Sequence, residues 1–84
     1  MKHYASSAFW SSYNALPQET RLLADKAFAK LKENPRHPAL RFKKVGEYWS
    51  ARVGMHYRAL AAESEDGLVW FWIGSHADYD RILT

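Results

Sequence analysis

The chain has 84 residues, room for one core, and a domain of this size buries only roughly 60–65% of the surface its unfolded form exposes. Hydrophobic residues at 48% and charged residues at 25% argue against disorder, and the absence of cysteine excludes a disulfide framework and a thiolate zinc site. The net charge of +3 is unevenly placed: between Lys26 and Arg58 nine basic residues stand against Glu33 and Glu47, a local balance of +7, while the two flanks together carry −4.

The first residues, Met1 to Ser6, lack the apolar stretch of a signal peptide, so a cytoplasmic location is expected. His3 to Ala5 suits a short opening strand. Ser6 or Ser7 can cap a first helix in which Phe9, Trp10 and Tyr13 form one apolar side, ending near Leu16. Pro17 suits the first turn of a second helix, with Glu19 near its positive end and a stripe of Leu23, Ala24, Ala27, Phe28 and Leu31. Asn34-Pro35 ends it. Lys26, Lys30 and Lys32 lie at helical spacing and read as a solvated face.

From Leu40 the pattern becomes that of strands, with turn signals at Gly46-Glu47, Gly54-Met55 and Asp66-Gly67. Alternation from Tyr48 to Val53 puts Trp49, Ala51 and Val53 on one side and Tyr48, Ser50 and Arg52 on the other, so Arg52 points away from the core. The apolar run Leu68 to Ile73 is too short to span a membrane and fits an interior strand covered on both sides. Asp78 to Leu83 reads as a terminal helical turn or extension. The expected fold is a single α+β domain over residues 1–84: two N-terminal helices packed on a twisted antiparallel sheet of about four strands.

Four segments in order, Pro35-x-His37-Pro38-x-Leu40-x-Phe42-Lys43-Lys44, Trp49-Ser50-Ala51-Arg52-Val53, Tyr57-Arg58-Ala59-Leu60 and Trp72-Ile73-Gly74-x-His76-x-x-Tyr79, resemble the RelE/ParE toxin superfamily. The resemblance implies the toxin half of a bacterial type II toxin–antitoxin pair, partnered by an antitoxin with a flexible segment that folds as it binds. RelE-like members cut messenger RNA in the ribosomal acceptor site, and ParE-like members poison DNA gyrase on the same fold. Two departures stand out. The arginine expected in the last motif is absent, the chain reading Gly74-Ser75-His76, and Tyr79 follows at a shorter spacing than the family's terminal tyrosine.

Metal-free RNA cleavage uses the ribose 2′-hydroxyl as nucleophile, so the protein must supply a base, an acid and cations for the charge on the phosphorus oxygens. Arg52 and Arg58 match the family's paired strand arginines, and a planar guanidinium grips phosphate through two parallel hydrogen bonds. The competing reading pairs them with Glu47, Glu63 or Asp78 as surface ion pairs. Arg41, Lys43 and Lys44 are the further nucleic-acid-binding candidates, although alternation lets only one of the two lysines share a face with the arginines. His76, of the side-chain type that titrates nearest neutrality, is either a proton donor to the leaving 5′-oxygen or a cap on the last strand. Tyr79 either stacks on a base and orients the 2′-hydroxyl or packs against the sheet. Trp49, Trp70 and Trp72 either make a stacking platform for bases or belong to the core, and are read as core. No metal site and no cofactor is expected, since there is no cysteine and the four histidines lack H-x-x-x-H spacing. A non-catalytic nucleic-acid-binding module is a further alternative, though neither an RNA-recognition signature nor a helix-turn-helix pattern is visible.

Overall fold

The computed structural model describes residues 2–83. In chain order it contains β1 (Lys2–Ala5), α1 (Ser7–Asn14), α2 (Gln18–Glu33), a 3-10 turn (Pro38–Leu40), β2 (Lys43–Val45), β3 (Tyr48–Val53), β4 (Tyr57–Ser64), β5 (Gly67–Ser75) and α3 (His76–Leu83). Local chemistry sets these boundaries. The Ser6 hydroxyl accepts the Phe9 amide at 3.2 Å and satisfies one of the free donors at the start of α1. Pro17, with no N–H to satisfy, occupies the N-cap of α2, and Asn34 leaves the helix in an extended conformation just before Pro35.

The sheet has five strands in the order β1-β5-β4-β3-β2. Strands β2 to β5 form an antiparallel meander, whereas β1 pairs with β5 in parallel. The sheet is therefore mixed and one strand wider than the sequence pattern indicates. Gly67 permits this, because a Cβ there would collide with the Lys2 backbone. Gly46 and Gly54, both with positive φ, make the turns on either side of β3.

Helices α1 and α2 pack on one side of the sheet, here called the inner face, against Ala51, Val53, Ala59, Ala61, Leu68, Trp70 and Ile73. The buried row of α2 is Thr20, Ala24 and Leu31. Leu23 and Phe28, expected in that stripe, remain 42% and 43% exposed. Leu23 instead reaches the β3–β4 turn at Gly54, and Phe28 borders a cavity of about 280 Å³ between the helices and the sheet. Among the described residues no helix is long and apolar enough to cross a membrane.

His3 lies in this cavity wall, stacked on Trp70 and edge-on to Phe28, and its Nδ1 accepts the Trp70 indole N–H at 3.0 Å. Burial lowers its pKa below the usual 6.5. The unfolded chain therefore takes up a proton at a higher pH than the folded one. Stability is full above about pH 6.5 and falls as the pH drops toward the lower folded value. Thermal melts between pH 7.5 and 5.5 are expected to show a falling midpoint, flattened in His3→Gln; an equal slope in both proteins would remove His3 from the explanation.

Candidate nucleic-acid interface

The outer face carries the charge. The turn through Gly54 brings β3 back as β4 with Arg52 directly opposite Arg58 and Val53 opposite Tyr57. Alternation then puts Arg52, Arg58, Ser50 and Leu60 on the side of the sheet away from α1 and α2. Like charges directly opposite on neighbouring strands are destabilising. No acidic side chain forms an ion pair with either arginine among the described residues: the ion pairs join Lys2 to Asp66, Lys44 to Glu63 and Arg81 to Asp78, while Asp80 lies against His76. The surface ion pairs with Glu47, Glu63 or Asp78 considered for Arg52 and Arg58 are not formed.

Arg52 is aimed by its own turn, its Nε donating to the Gly54 carbonyl at 2.9 Å. Arg58 is held more tightly. Its guanidinium carbon lies 5.9 Å from the centre of the Tyr79 ring, within cation–π range, and its Nη1 is buried without a hydrogen-bond partner. Burial, followed by the neighbouring Arg52, lowers its pKa from the usual guanidinium value; Arg41 acts in the same direction, and Tyr79 and Asp80 oppose them. A buried cationic donor without a protein acceptor is costly.

Helix α3 starts at His76, two residues earlier than the sequence pattern suggests, so His76 opens a helix. Its backbone N–H donates to the His56 carbonyl at 2.8 Å, tying the helix to the β3–β4 turn. Its ring stacks on Tyr79, with centroids 5.7 Å apart and planes 20° apart, and its Nδ1 lies 3.6 Å from Asp80. Tyr79 is buried on the sheet while His76 is exposed. Arg58 and His76 thus both contact Tyr79 at one end of the outer face, with Arg52 opposite Arg58.

Arg41 leaves the 3-10 turn in a left-handed conformation, φ 44°, and lies near enough to influence Arg58. Lys43 pairs with Ser50 and so shares the outer face with the arginines. Lys44 pairs with Trp49 on the other face and makes a 3.4 Å ion pair with Glu63. That contact, after the Trp49 indole hydrogen bond, lowers the Glu63 pKa. Of the residues singled out from sequence, Arg41, Lys43, Arg52, Arg58, His76 and Tyr79 converge, and Lys44 does not. Asp80 was missed, as was Trp72 on the outer face. Among the described residues no group of three or more histidine and acidic side chains is placed to hold a metal ion.

An α+β domain with helices over one face of the sheet has the fold of the RelE/ParE toxins. The structure of YafQ from Escherichia coli BL21(DE3) superposes with a TM-score of 0.73 at 13% identity, covering 93% of this chain and 96% of that one. The RelB–RelE antitoxin–toxin complex from Methanococcus jannaschii gives 0.68 at 15%, covering 96% and 99%, and the YoeB/ParE toxin from Agrobacterium tumefaciens 0.68 at 18%, covering 90% and 99%. At these identities the likeness is one of fold. No curated protein sequence matches the chain. The model of the ParE-like toxin domain matches residues 19–81, and the chain belongs to that family.

Proposed function

We infer that the protein is the toxin of a type II toxin–antitoxin pair and acts as a metal-independent endoribonuclease on messenger RNA at the ribosome. The observation that carries this reading is the direct opposition of Arg52 and Arg58 on the outer face with no ion-paired acid among the described residues. A phosphodiester supplies the negative charge that this pair lacks. In the proposed reaction the 2′-hydroxyl gives up its proton as it attacks the adjacent phosphorus to form a 2′,3′-cyclic phosphate, Arg52 and Arg58 stabilise the charge on the non-bridging oxygens, and the P–O5′ bond breaks as the 5′-oxygen takes up a proton. His76, exposed and stacked on Tyr79, is the group suited to that proton transfer. Arg41 and Lys43 hold the flanking backbone.

A second reading, inhibition of DNA gyrase, is favoured by one observation: the matching family model is that of the ParE-like toxins. The two separate in vitro. In a reconstituted translation reaction the nuclease reading expects message cut at defined positions, without added metal beyond that of the ribosome, and no effect on supercoiling by purified gyrase. Intact message with blocked supercoiling would overturn it in favour of gyrase.

The partner expected in either case is a cognate antitoxin, supported by the relatives crystallised as RelB–RelE complexes. It would neutralise by covering the surface around Arg52, Arg58 and His76 or by moving the segment from Asp78 onward. Both routes are plausible physically because α3, with Tyr79 as its buried anchor, lies against Arg58. A complex leaving that region untouched would exclude both.

A further inference from the structure

The outer face carries aromatic surface that the phosphate contacts do not use. In β5 the pairing with β4 slips between Leu60 and Ala61: Trp72 lies opposite Leu60 and Trp70 opposite Ala61, which leaves Phe71 as an extra residue. Trp70 and Ile73 both belong to the inner core, so the bulge turns the two residues between them, Phe71 and Trp72, toward the arginine side. Tyr48, on that side of β3, packs against Phe71 with ring centroids 5.1 Å apart and planes tilted by 60°. The Trp72 indole lies along the sheet over Gly74, where any Cβ would collide with its six-membered ring, and Gly74 is the strand partner of Arg58. The three residues lie on the outer face between the start of β3 and the arginine pair. All three are half-buried, and none belongs to the cluster beneath α1 and α2.

We propose that Tyr48, Phe71 and Trp72 are a stacking platform for the bases of single-stranded RNA whose phosphate rests on Arg52 and Arg58. The proposal rests on the RNA reading above and adds to it the part of the substrate recognised. Trp72 is two residues along β5 from the partner of Arg58, roughly 7 Å, and Tyr48 is four residues along β3 from Arg52, roughly 13 Å. Those spacings place the rings about one and two nucleotides from the held phosphate along an extended strand. Stacking accepts any base and favours the larger purine surface, so the platform gives affinity with little sequence discrimination. A purely structural role, covering Leu60, needs apolar volume on this face but not π-surfaces.

The test uses the full chain made by cell-free synthesis and follows fluorescence anisotropy of two labelled oligomers of equal length at low salt, oligo(A) and an abasic ribose-phosphate. Trp72→Leu and Phe71→Leu keep an apolar cover over Leu60, and a thermal melt of each verifies folding. The wild type is expected to bind oligo(A) at least tenfold more tightly than the abasic strand, and each leucine variant to lose roughly tenfold for oligo(A) only, with the salt dependence unchanged. Equal binding of the two oligomers by the wild type, or wild-type affinity for oligo(A) in both variants, overturns the platform and leaves the phosphate site standing. Failure of the wild type to bind either oligomer, alone or with ribosomes present, would remove the RNA reading, and the platform with it. Variants that bind RNA normally but no longer capture the antitoxin would assign the three rings to a protein partner, again overturning the proposal.

Discussion

Arg58→Met is expected to give a protein that is more stable than the wild type and no longer toxic. In the folded chain Arg58 faces Arg52 directly across β3 and β4 and buries one guanidinium nitrogen without an acceptor. Methionine removes both the repulsion and the stranded donor. Its thioether can rest on the Tyr79 ring, replacing a cation–π contact of about 0.5–2 kcal/mol with a sulfur–aromatic one of comparable size. Removal of the like-charge contact and the stranded donor should then give a net gain of about 1 kcal/mol, which for a domain of this size is on the order of 4–8 °C in melting temperature. On the nuclease reading proposed above, function moves the other way: deleting one positioned donor to a phosphoryl transition state costs about 10²–10³ in rate. Arg58→Lys should fall between, since an ammonium keeps the charge but lacks the planar fork. Calorimetry alongside a growth assay checks this, and a destabilised or fully toxic Arg58→Met would show that the arginine is structural.

Trp70→Ala is expected to unfold much of the population at physiological temperature. Trp70 is 6% exposed, stacks with His3, packs against Phe42 and donates its indole N–H to His3, joining β1, the inner core and the loop before β2. Emptying such a site costs about 3–5 kcal/mol. Total stability in a domain of this length is about 4–13 kcal/mol, and the neighbouring 280 Å³ cavity already leaves the inner face loosely filled. A drop of more than 10 °C in the melting midpoint, followed by circular dichroism, is the expected result. A drop below 5 °C would mean that the helices collapse onto the vacancy.

The arginine pair was legible because two short-range rules suffice for it. Alternation from Tyr48 turns Arg52 outward, and a tight turn at Gly54 returns the chain in register, so Arg58 follows. Trp72 was not legible. Counting by two from Trp70 buries it, and only the extra residue Phe71 reverses it; such a bulge arises from pairing with β4 and leaves no mark in composition. Lys43 and Lys44 were separable in principle, but which one joins the arginines depends on the β2–β3 register fixed by the turn at Gly46. The parallel pairing of β1 was hidden for a similar reason. Lys2 meets Gly67 across nearly the whole chain, and Gly67, read as part of a turn, is also the place where a second backbone comes close. The exposure of Phe28 reflects the gap between α1 and α2, a tertiary property that the helical stripe does not encode.

The most direct test of the nuclease reading is a short pulse of expression in a bacterium without the antitoxin, following labelled methionine and labelled thymidine together. A prompt fall in methionine incorporation, with message cut at defined positions and normal incorporation restored by Arg58→Ala, is the predicted result. A fall in thymidine first, with broken DNA and intact message, would contradict it.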